Sequence, residues 1–338
     1  MKPLYFLLIL LLATNTLLAQ RKDRIQIDNN TQKKEITITA NGKPFTTLLY
    51  SDTLYKPFLF PIYSPHGQVI TRGYPLATRK GEPTDHPHHT GLWFNYENLN
   101  GLDFWNNSYA IAAAKKDKYG SIKTDSILSV SSGREGTILM ISNWVNNSRE
   151  VLLKELTTFA FTAYPDYYII DRVALLTAVQ DIAFTDTKDG LIGLRVAKEL
   201  ELPYHTTKPV RDPKALPDTS VHGSYINSEG KKDEDVWGVR ARWCMLYGPK
   251  DGDEISIAIL DHPENIGYPT YWHARSYGLF AANPFGQKVY SEGKEELNFK
   301  LQKGQQVTLR YRIIVASTKE RLSNETIEKA ARAFSRDR

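Results

Sequence analysis

The feature that most constrains the fold is a run of four β-rich segments in the middle of the chain, at residues 121–131, 136–144, 151–162 and 167–177. Each is rich in Thr, Val, Ile, Tyr or Phe, the residue types that favour a pleated strand. Polar turns as short as Asn146-Asn147-Ser148 separate them. Because turns of this length join strands that run in opposite directions, the pattern predicts an antiparallel meander.

The segments on either side of the meander are also β-rich. Near the start, residues 35–40 and 45–50 flank Asn41 and Gly42, a pattern typical of a hairpin. Later strands are predicted at 239–247, 255–260 and 279–282. A final hairpin is predicted to pair residues 297–301 with residues 307–313 about a turn at Lys303 and Gly304.

Two regions depart from the regular strand pattern. Residues 56–63 contain Pro57 and Pro61, and since proline donates no hydrogen bond to a ladder, we expect an edge strand or an extended wall there. Only the tail has helical spacing, and Ser323 or Asn324 is expected to cap its first turn. The apolar face of this helix consists of Ile327, Ala330, Ala331 and Phe334.

These elements predict an all-β protein, a large antiparallel β-sandwich with a short C-terminal helix. The chain has 338 residues, of which 41% are hydrophobic, enough to bury a large core. No internal repeat and no linker-like composition divides it. We therefore expect residues 20–338 to form a single domain.

The first twenty residues, MKPLYFLLILLLATNTLLAQ, combine one positive charge, an apolar run and a short polar tail. This composition is typical of a secretory signal peptide, which we expect to comprise residues 1–19, with cleavage after Ala19. An uncleaved membrane anchor is the alternative, although the apolar run is shorter than the ~20 residues that span a bilayer. Cys244, the only cysteine, allows no intramolecular disulfide, and a secreted, periplasmic protein fits this composition.

The charge pattern limits the partners of the chain. The formal net charge is +5, but the basic residues are scattered instead of clustered. No arginine-rich arm, zinc-finger spacing or RNA-binding strand motif is present, so nucleic acid is not expected as a partner. No apolar segment after the signal peptide is long enough to cross a membrane. A small molecule or an oligosaccharide is the expected ligand, and no oligomeric state is predicted.

Residues 85–105, DHPHHTGLWFNYENLNGLDFW, contain the densest cluster of chemically active side chains. Three of the eight histidines, His86, His88 and His89, lie here. On an extended chain His86 and His88 would point to one side and His89 to the other. An imidazole titrates near neutrality, so His88 and His89 are candidate catalytic acids and His86 is a candidate substrate contact. Loop capping and metal binding are the alternatives, but metal binding needs a further ligand, and no HExxH or CxxC spacing supports it.

A second stretch, residues 261–286, repeats these ingredients in DHPENIGYPTYWHARSYGLFAANPFG. His273 is a further catalytic candidate, Glu264 is a candidate general base, and His262 is a candidate substrate contact. Two loops of similar composition on a β scaffold are expected to close over one ligand.

A third group of candidates consists of arginines that could anchor a substrate. A guanidinium can orient a carboxylate or a sugar oxygen, although an ordinary salt bridge is the equal alternative. Asp189, in the Gly-rich stretch before Arg195, is the alternative to Glu264 as general base. The arginine candidates are Arg72, Arg79, Arg195 and Arg275.

Aromatic residues complete the predicted site. Aromatic faces pack well against the C–H side of sugars, while nearby polar groups bind the hydroxyls. Trp93, Trp105 and Trp272 are the candidates for such stacking. Phe280 and Tyr277 fit ordinary core packing.

The motifs DHPHHTGLWF, NGLDFW, DTKDGLIGLRVA, WGVRARWC and DHPENIGYPTYWHARSYGLFAANPFG occur in this order over most of the chain. In these motifs the chain resembles the bacterial DUF6807 family of unknown function, often labelled PmoA-like. Members are also labelled methane oxygenase PmoA. That label does not carry over, because the oxygenase subunit PmoA is an integral membrane protein and this chain lacks the membrane spans. The resemblance implies an exported protein of polysaccharide-degrading bacteria. By analogy it also implies a β-supersandwich similar to galactose mutarotase, whose sites use His and Arg with a carboxylate base.

The residues and the resemblance together predict an exported carbohydrate-active protein that works by acid–base chemistry. An imidazole of His88 or His89 would be the acid and a carboxylate, such as Glu264, the base. Hydrolase, lyase and epimerase chemistry all fit, and no cofactor is expected. The alternatives are a noncatalytic carbohydrate-binding protein and a metal-dependent enzyme.

Overall fold

The structure is a computed structural model that describes residues 24–203 and 220–337. The expected signal peptide lies outside the described residues. Within them the chain forms eighteen strands. They are β1 (Ile25–Asn30), β2 (Glu35–Ala40), β3 (Lys43–Leu49), β4 (Phe58–Ile62), β5 (Leu92–Tyr96), β6 (Ser121–Ser131), β7 (Gly136–Val145), β8 (Val151–Ala163), β9 (Tyr167–Ala178), β10 (Ile182–Ala183), β11 (Gly190–Arg195), β12 (Ser224–Asn227), β13 (Trp243–Lys250), β14 (Asp253–Asp261), β15 (Tyr271–Ala274), β16 (Leu279–Asn283), β17 (Lys300–Leu301) and β18 (Gln306–Thr318).

The strands form two eight-stranded antiparallel sheets and one two-stranded ribbon. The first sheet has the order β1-β2-β3-β4-β5-β11-β16-β15, and the second has the order β12-β13-β14-β18-β9-β8-β7-β6. The predicted meander is confirmed, because β6, β7, β8 and β9 pair in sequence within the second sheet. The opening hairpin is confirmed as β2 and β3. The protein is therefore all-β, as the sequence predicts.

The two sheets pack face to face around one large core. Leu92 and Phe94 of β5 point into it, and the ring of Phe45 on β3 meets the rings of Phe161 and Tyr168 at centroid distances of 5.6 and 4.3 Å. Successive side chains on a strand point to opposite faces of a sheet. The residues between the core positions of the first sheet therefore project from its outer face, which carries the candidate site.

Helices are short and peripheral. The α-helices are α1 (Gln287–Tyr290) and α2 (Asn324–Phe334), and short 3₁₀ turns lie at Ala113–Lys118, Lys198–Leu200 and Asp233–Val236. The predicted C-terminal helix is confirmed as α2. The Ser323 hydroxyl caps it by accepting the Thr326 N–H at 3.1 Å, and its apolar face packs on the outer face of the second sheet. Among the described residues, no helix has the length and apolar composition needed to cross a bilayer.

Two strand predictions are wrong. β4 is an interior strand between β3 and β5 instead of an edge strand. Pro61 is tolerated there because only Phe58 and Leu59 pair with β5, and because the ladder with β3 is interrupted by a bulge between Leu59 and Ile62. The final hairpin does not form either, because β17 pairs with β10, whereas β18 pairs with β9 and β14.

Candidate functional site

A row of four residues crosses the outer face of the first sheet. Strand register aligns Trp93 on β5, Gly193 on β11, Ala281 on β16 and His273 on β15. With neighbouring strands ~4.8 Å apart, the row is roughly 14 Å long. Its centre is made of small residues, and a Cβ atom on Gly193 would lie 2.6 Å from Cζ2 of Trp93 and 2.8 Å from Cη2 of Trp105. The two indole rings therefore lie over Gly193 and form the floor of the site.

Residues Asp85–His89, which we call the histidine loop, stand on this floor. The loop is not extended: the His89 N–H donates to the His86 carbonyl at 3.0 Å, and His86 has φ of 44°. This turn brings together the three imidazoles that an extended chain would separate. The ring of His88 lies 4.3 Å from that of His89, at 76°. Among the described residues, the histidine loop included, no three His, Cys, Asp or Glu side chains are arranged to hold a metal ion.

Four aromatic rings form a continuous stack through the loop. Tyr277 stacks on His86 at 5.3 Å, His86 on His89 at 4.8 Å, and His89 on Trp93 at 5.2 Å, with interplanar angles of 3°, 4° and 16°. Trp93 and Trp105 are only 2% and 1% exposed. They therefore support the His89 ring and are covered against direct sugar stacking in this conformation. Tyr277, expected to pack in the core, is partly buried against the cluster that contains Trp93 and Trp105, and it is also the outermost ring of the stack.

Asp85 connects the histidine loop to two buried arginines. Its Oδ1 accepts from Nη1 of Arg72 at 2.7 Å and from Nη2 of Arg195 at 3.3 Å, while Oδ2 lies 2.9 Å from Nδ1 of His86. The interaction with His86 and the charges of Arg195 and Arg72 hold the pKa of the Asp85 carboxyl well below its usual range. Asp85 is therefore ionised at neutral pH, and both arginines are committed to holding the loop.

A second carboxyl, that of Glu201, approaches the same nitrogen of Arg195. Oε1 of Glu201 is 3.6 Å from Nη2 of Arg195, beyond hydrogen-bonding distance. Burial raises the pKa of Glu201 to about 7, which outweighs the opposing charge of Arg195. One guanidinium is thus flanked by an ionised carboxylate, Asp85, and a carboxyl that is partly protonated near neutral pH. Such pairs, whose environments push their pKa values apart, suit acid–base chemistry.

A cleft of about 140 Å³ opens beside the loop, with His88 in its wall. Burial lowers the pKa of His88 to about 2, so its imidazole is neutral at pH 7. Lys56 is also in the wall, where its Nζ donates to the His88 carbonyl at 2.7 Å and lies 5.4 Å from the ring centroid of Trp93. The rest of the lining combines aromatic and apolar side chains with side chains that carry a hydroxyl or an amide. It includes Tyr55, Leu76, Tyr109, Thr90, Asn107 and Ser108.

His273 lies at the far end of the row. Its Nδ1 is 3.3 Å from Oδ1 of Asp189, whose Oδ2 accepts from Nζ of Lys188 at 2.6 Å. Burial lowers the pKa of His273 to about 4, despite the charge of Asp189. Arg275, on the same segment, places its guanidinium 5.8 Å from the Tyr277 ring. The downstream stretch therefore reaches the histidine loop through Tyr277, which stacks on His86.

Three downstream candidates lie elsewhere, and this part of the expected site is corrected. The ring of His262 packs on Phe334 of α2 at 5.0 Å, and Glu264 pairs with Arg310 of the second sheet at 3.2 Å. Trp272 is fully buried between the sheets. Because neighbouring residues on a strand face opposite sides, His273 can project outward only if Trp272 points into the core.

Several site residues differ from the sequence expectation. Arg79 donates to the Thr71 carbonyl at 2.8 Å and pairs with Glu82 at 3.3 Å, so it braces the loop before the histidines. Sequence reasoning missed Lys56 and gave no role to Glu201. The available signal for Lys56 was a single charged residue leading into an otherwise apolar segment.

The fold and the site define a class: two-sheet antiparallel β-sandwich proteins with a site rich in His and Arg on the outer face of one sheet. The sequence matches the family of unknown function DUF6807 over residues 35–332, and the chain belongs to this family. The resemblance drawn from its motifs is thereby confirmed. Comparison with curated proteins gives no significant match.

Solved structures that match the chain include two glycoside hydrolases and a galactose mutarotase-like protein. AgaB, a GH36 α-galactosidase from Geobacillus stearothermophilus, is 8% identical with a TM-score of 0.41, and the match covers 87% of this chain and 41% of that one. A galactose mutarotase-like protein from Clostridium acetobutylicum is 8% identical with a TM-score of 0.39, covering 88% and 99%. A glycoside hydrolase family 97 enzyme from Pseudoalteromonas is 9% identical with a TM-score of 0.32, covering 87% and 35%. The chain spans less than half the length of the α-galactosidase and the family 97 enzyme.

Proposed function

We propose that the chain is an exported, periplasmic carbohydrate-active protein that binds a sugar in the cleft beside the histidine loop and acts on it by acid–base chemistry. The observation that carries this proposal is the composition of the cleft wall. A neutral imidazole, His88, lies there among aromatic faces and neutral hydrogen-bonding groups.

This lining suits a sugar for a physical reason. Tyr55 and Tyr109 offer faces for the C–H side of a sugar ring, while the hydroxyls of Thr90 and Ser108 offer donors and acceptors for its hydroxyls. At about 140 Å³ the cleft is smaller than the ~300 Å³ at which pockets for larger ligands begin. It therefore suits one sugar unit, with any further units extending outside.

The proposed chemistry uses His88 to move a proton and a carboxylate as its counterpart. Asp85 replaces Glu264 as the carboxylate: its side chain is 45% exposed and ionised, and it supplies a fixed negative charge in the loop that also contributes Pro87 and His88 to the cleft wall. Arg72 and Arg195 fix Asp85 in place. Hydrolysis, elimination and epimerisation of sugars each need one positioned group that gives a proton and one that accepts it.

The test measures binding and turnover separately. Purified protein is incubated with mono- and disaccharides and polysaccharide hydrolysates, with calorimetry for binding and NMR of anomeric protons for turnover. The variants are His88→Ala and, as a matched control, His66→Ala, since His66 contacts Asp253 of β14 and Asp166 in the turn between β8 and β9.

Loss of turnover in His88→Ala with binding retained, and little change in His66→Ala, supports acid–base catalysis. Binding by the wild-type protein without turnover of any sugar overturns the catalytic part and leaves a carbohydrate-binding protein. Absence of sugar binding, or identical behaviour of the two variants, overturns the cleft as the site.

A further inference from the structure

Lys56 occupies an unusual position for a lysine. It is 4% exposed, lies two residues before β4 and lines the cleft. Its Nζ donates to the His88 carbonyl at 2.7 Å, and it forms no ion pair with a carboxylate in the described part of the chain. Burial lowers the pKa of Lys56 to about 7, with the more distant charge of Asp103 opposing the shift.

We propose that Lys56 is a nucleophilic amine that forms a reversible imine with the carbonyl carbon of a small hydroxyaldehyde, such as the open-chain form of a reducing sugar, in this cleft. The choice of a sugar aldehyde rests on the proposed function. The nucleophile itself rests on geometry: a buried amine without a carboxylate partner at the wall of a cleft. Desolvated lysines of this kind supply the neutral amine that carbonyl chemistry requires.

The hydrogen bond to His88 is compatible with this role. A neutral amine has two N–H groups and one lone pair, so Lys56 can donate one N–H to the His88 carbonyl and still keep its lone pair for attack. The same contact fixes the direction of Nζ. It thereby reduces the conformational freedom that the side chain would lose on reaction.

The step balances without an oxidant or a reductant. The Nζ lone pair adds to the carbonyl carbon, the C=O π electrons move to oxygen, and a proton passes from nitrogen to that oxygen to give a carbinolamine. Protonation of the new hydroxyl lets water leave as the nitrogen lone pair forms the C=N bond, and loss of the remaining N–H proton gives the imine. One amine and one aldehyde thus yield one imine and one water. His88, neutral and in the same wall, is the group that relays the proton.

The experiment traps the imine in the full chain. Protein is incubated at pH 7 with glycolaldehyde and sodium cyanoborohydride, which reduces the imine to a stable secondary amine, and labelled lysines are identified by peptide mass spectrometry. An ordinary solvated lysine has a pKa near 10.4, so on the order of one amine in two thousand is neutral at pH 7. We expect Lys56 to be labelled at least roughly ten-fold faster than the exposed Lys43, even though access to the cleft slows it.

Labelling of Lys56 no faster than Lys43, or only after denaturation, overturns the proposal. Because this readout uses the wild-type protein, it does not depend on a variant folding. Lys56→Arg keeps a donor for the His88 carbonyl. It should abolish the fast labelling at position 56 and leave the labelling of the other lysines unchanged. Sugar binding without trapping at Lys56 rejects the imine and leaves the proposed function intact. If glycolaldehyde is trapped at Lys56 but no sugar binds, a sugar is rejected as the ligand and the assignment of Lys56 as a nucleophile is retained.

Discussion

The imidazole of His86 lies parallel to that of His89, with 4.8 Å between ring centroids and 4° between the planes. The His86 side chain is 40% exposed, whereas His89 is 2% exposed. This pair therefore connects the surface of the first sheet to its buried indole floor. A change at either end of the stack should reach the loop between them.

Replacing the outermost ring tests this connection. Tyr277→Leu removes one of the two rings that cover His86, so we expect a loss of about 1 kcal/mol in the free energy of unfolding, the size of an aromatic pair. The ring-proton NMR signals of His86 should move downfield as one ring current is lost. Tyr109→Leu, at an exposed position of the cleft, is the control and should leave them in place. Unchanged His86 signals in Tyr277→Leu would mean that the stack does not persist in solution.

The buried end of the stack depends on the absence of a side chain at Gly193. An added Cβ would lie 2.6 Å from the nearest atom of Trp93, so the ring must move. We expect Gly193→Ala to lower the free energy of unfolding by about 1–3 kcal/mol, as overpacking does. Urea unfolding followed by tryptophan fluorescence measures it. In the control, Gly133→Ala, the nearest atom is 3.3 Å away, and a similar loss there would contradict the steric explanation.

Local patterns were sufficient to predict most of the fold. The meander of β6 to β9, the opening hairpin and α2 each follow from residues close in sequence. The pairings that were mispredicted are non-local. β4 acquires a second neighbour from β5, about thirty residues later, and β17 pairs with β10 instead of the strand that follows it. Composition within a segment carries no information about which distant strand completes its ladder.

The site was predictable only in part for the same reason. The density of histidines in the sequence predicted where the loop lies. The imidazoles converge, however, because the loop turns at His86, which has a positive φ, and the sequence pattern did not predict this turn. Alternation required Trp272 and His273 to face opposite sides without saying which faces the core. His262 and Glu264 share the composition of the histidine loop, yet they follow β14 of the second sheet. Similar composition did not imply the same face.

The core behind the site contains a buried ion pair between Glu155 and Arg172. The carboxylate also accepts from Nε1 of Trp144 at 2.7 Å, and the guanidinium lies 3.9 Å from the Phe94 ring centroid. Removing one charge leaves the other uncompensated, so we expect Glu155→Gln to lower the free energy of unfolding by about 3–5 kcal/mol. Urea unfolding at pH 7 measures the change. Replacing both residues, as Glu155→Leu with Arg172→Met, should recover much of the lost stability. A double variant less stable than Glu155→Gln would refute the explanation by an uncompensated charge.

Buried imidazoles and a buried carboxyl should give the stability opposite dependences on pH. The native pKa of His273 is about 4, against about 6.5 in an unfolded chain. Between these values the unfolded state binds a proton that the native state does not, so stability rises with pH and is lost as pH falls below about 6.5. Glu201, with a native pKa of about 7 against about 4.3 unfolded, behaves oppositely, because the native state binds the extra proton and stability falls as pH rises.

The pair of variants His273→Gln and Glu201→Gln separates these contributions. We expect the slope of the unfolding free energy against pH, measured by urea titration between pH 4.5 and 6.5, to decrease in His273→Gln by up to about 1.4 kcal/mol per pH unit. In Glu201→Gln the slope should increase, because the opposing contribution is removed. Each variant serves as the control for the other, since general destabilisation shifts the whole curve without changing its slope. Slopes that change in the same direction would contradict the protonation states assigned to the site.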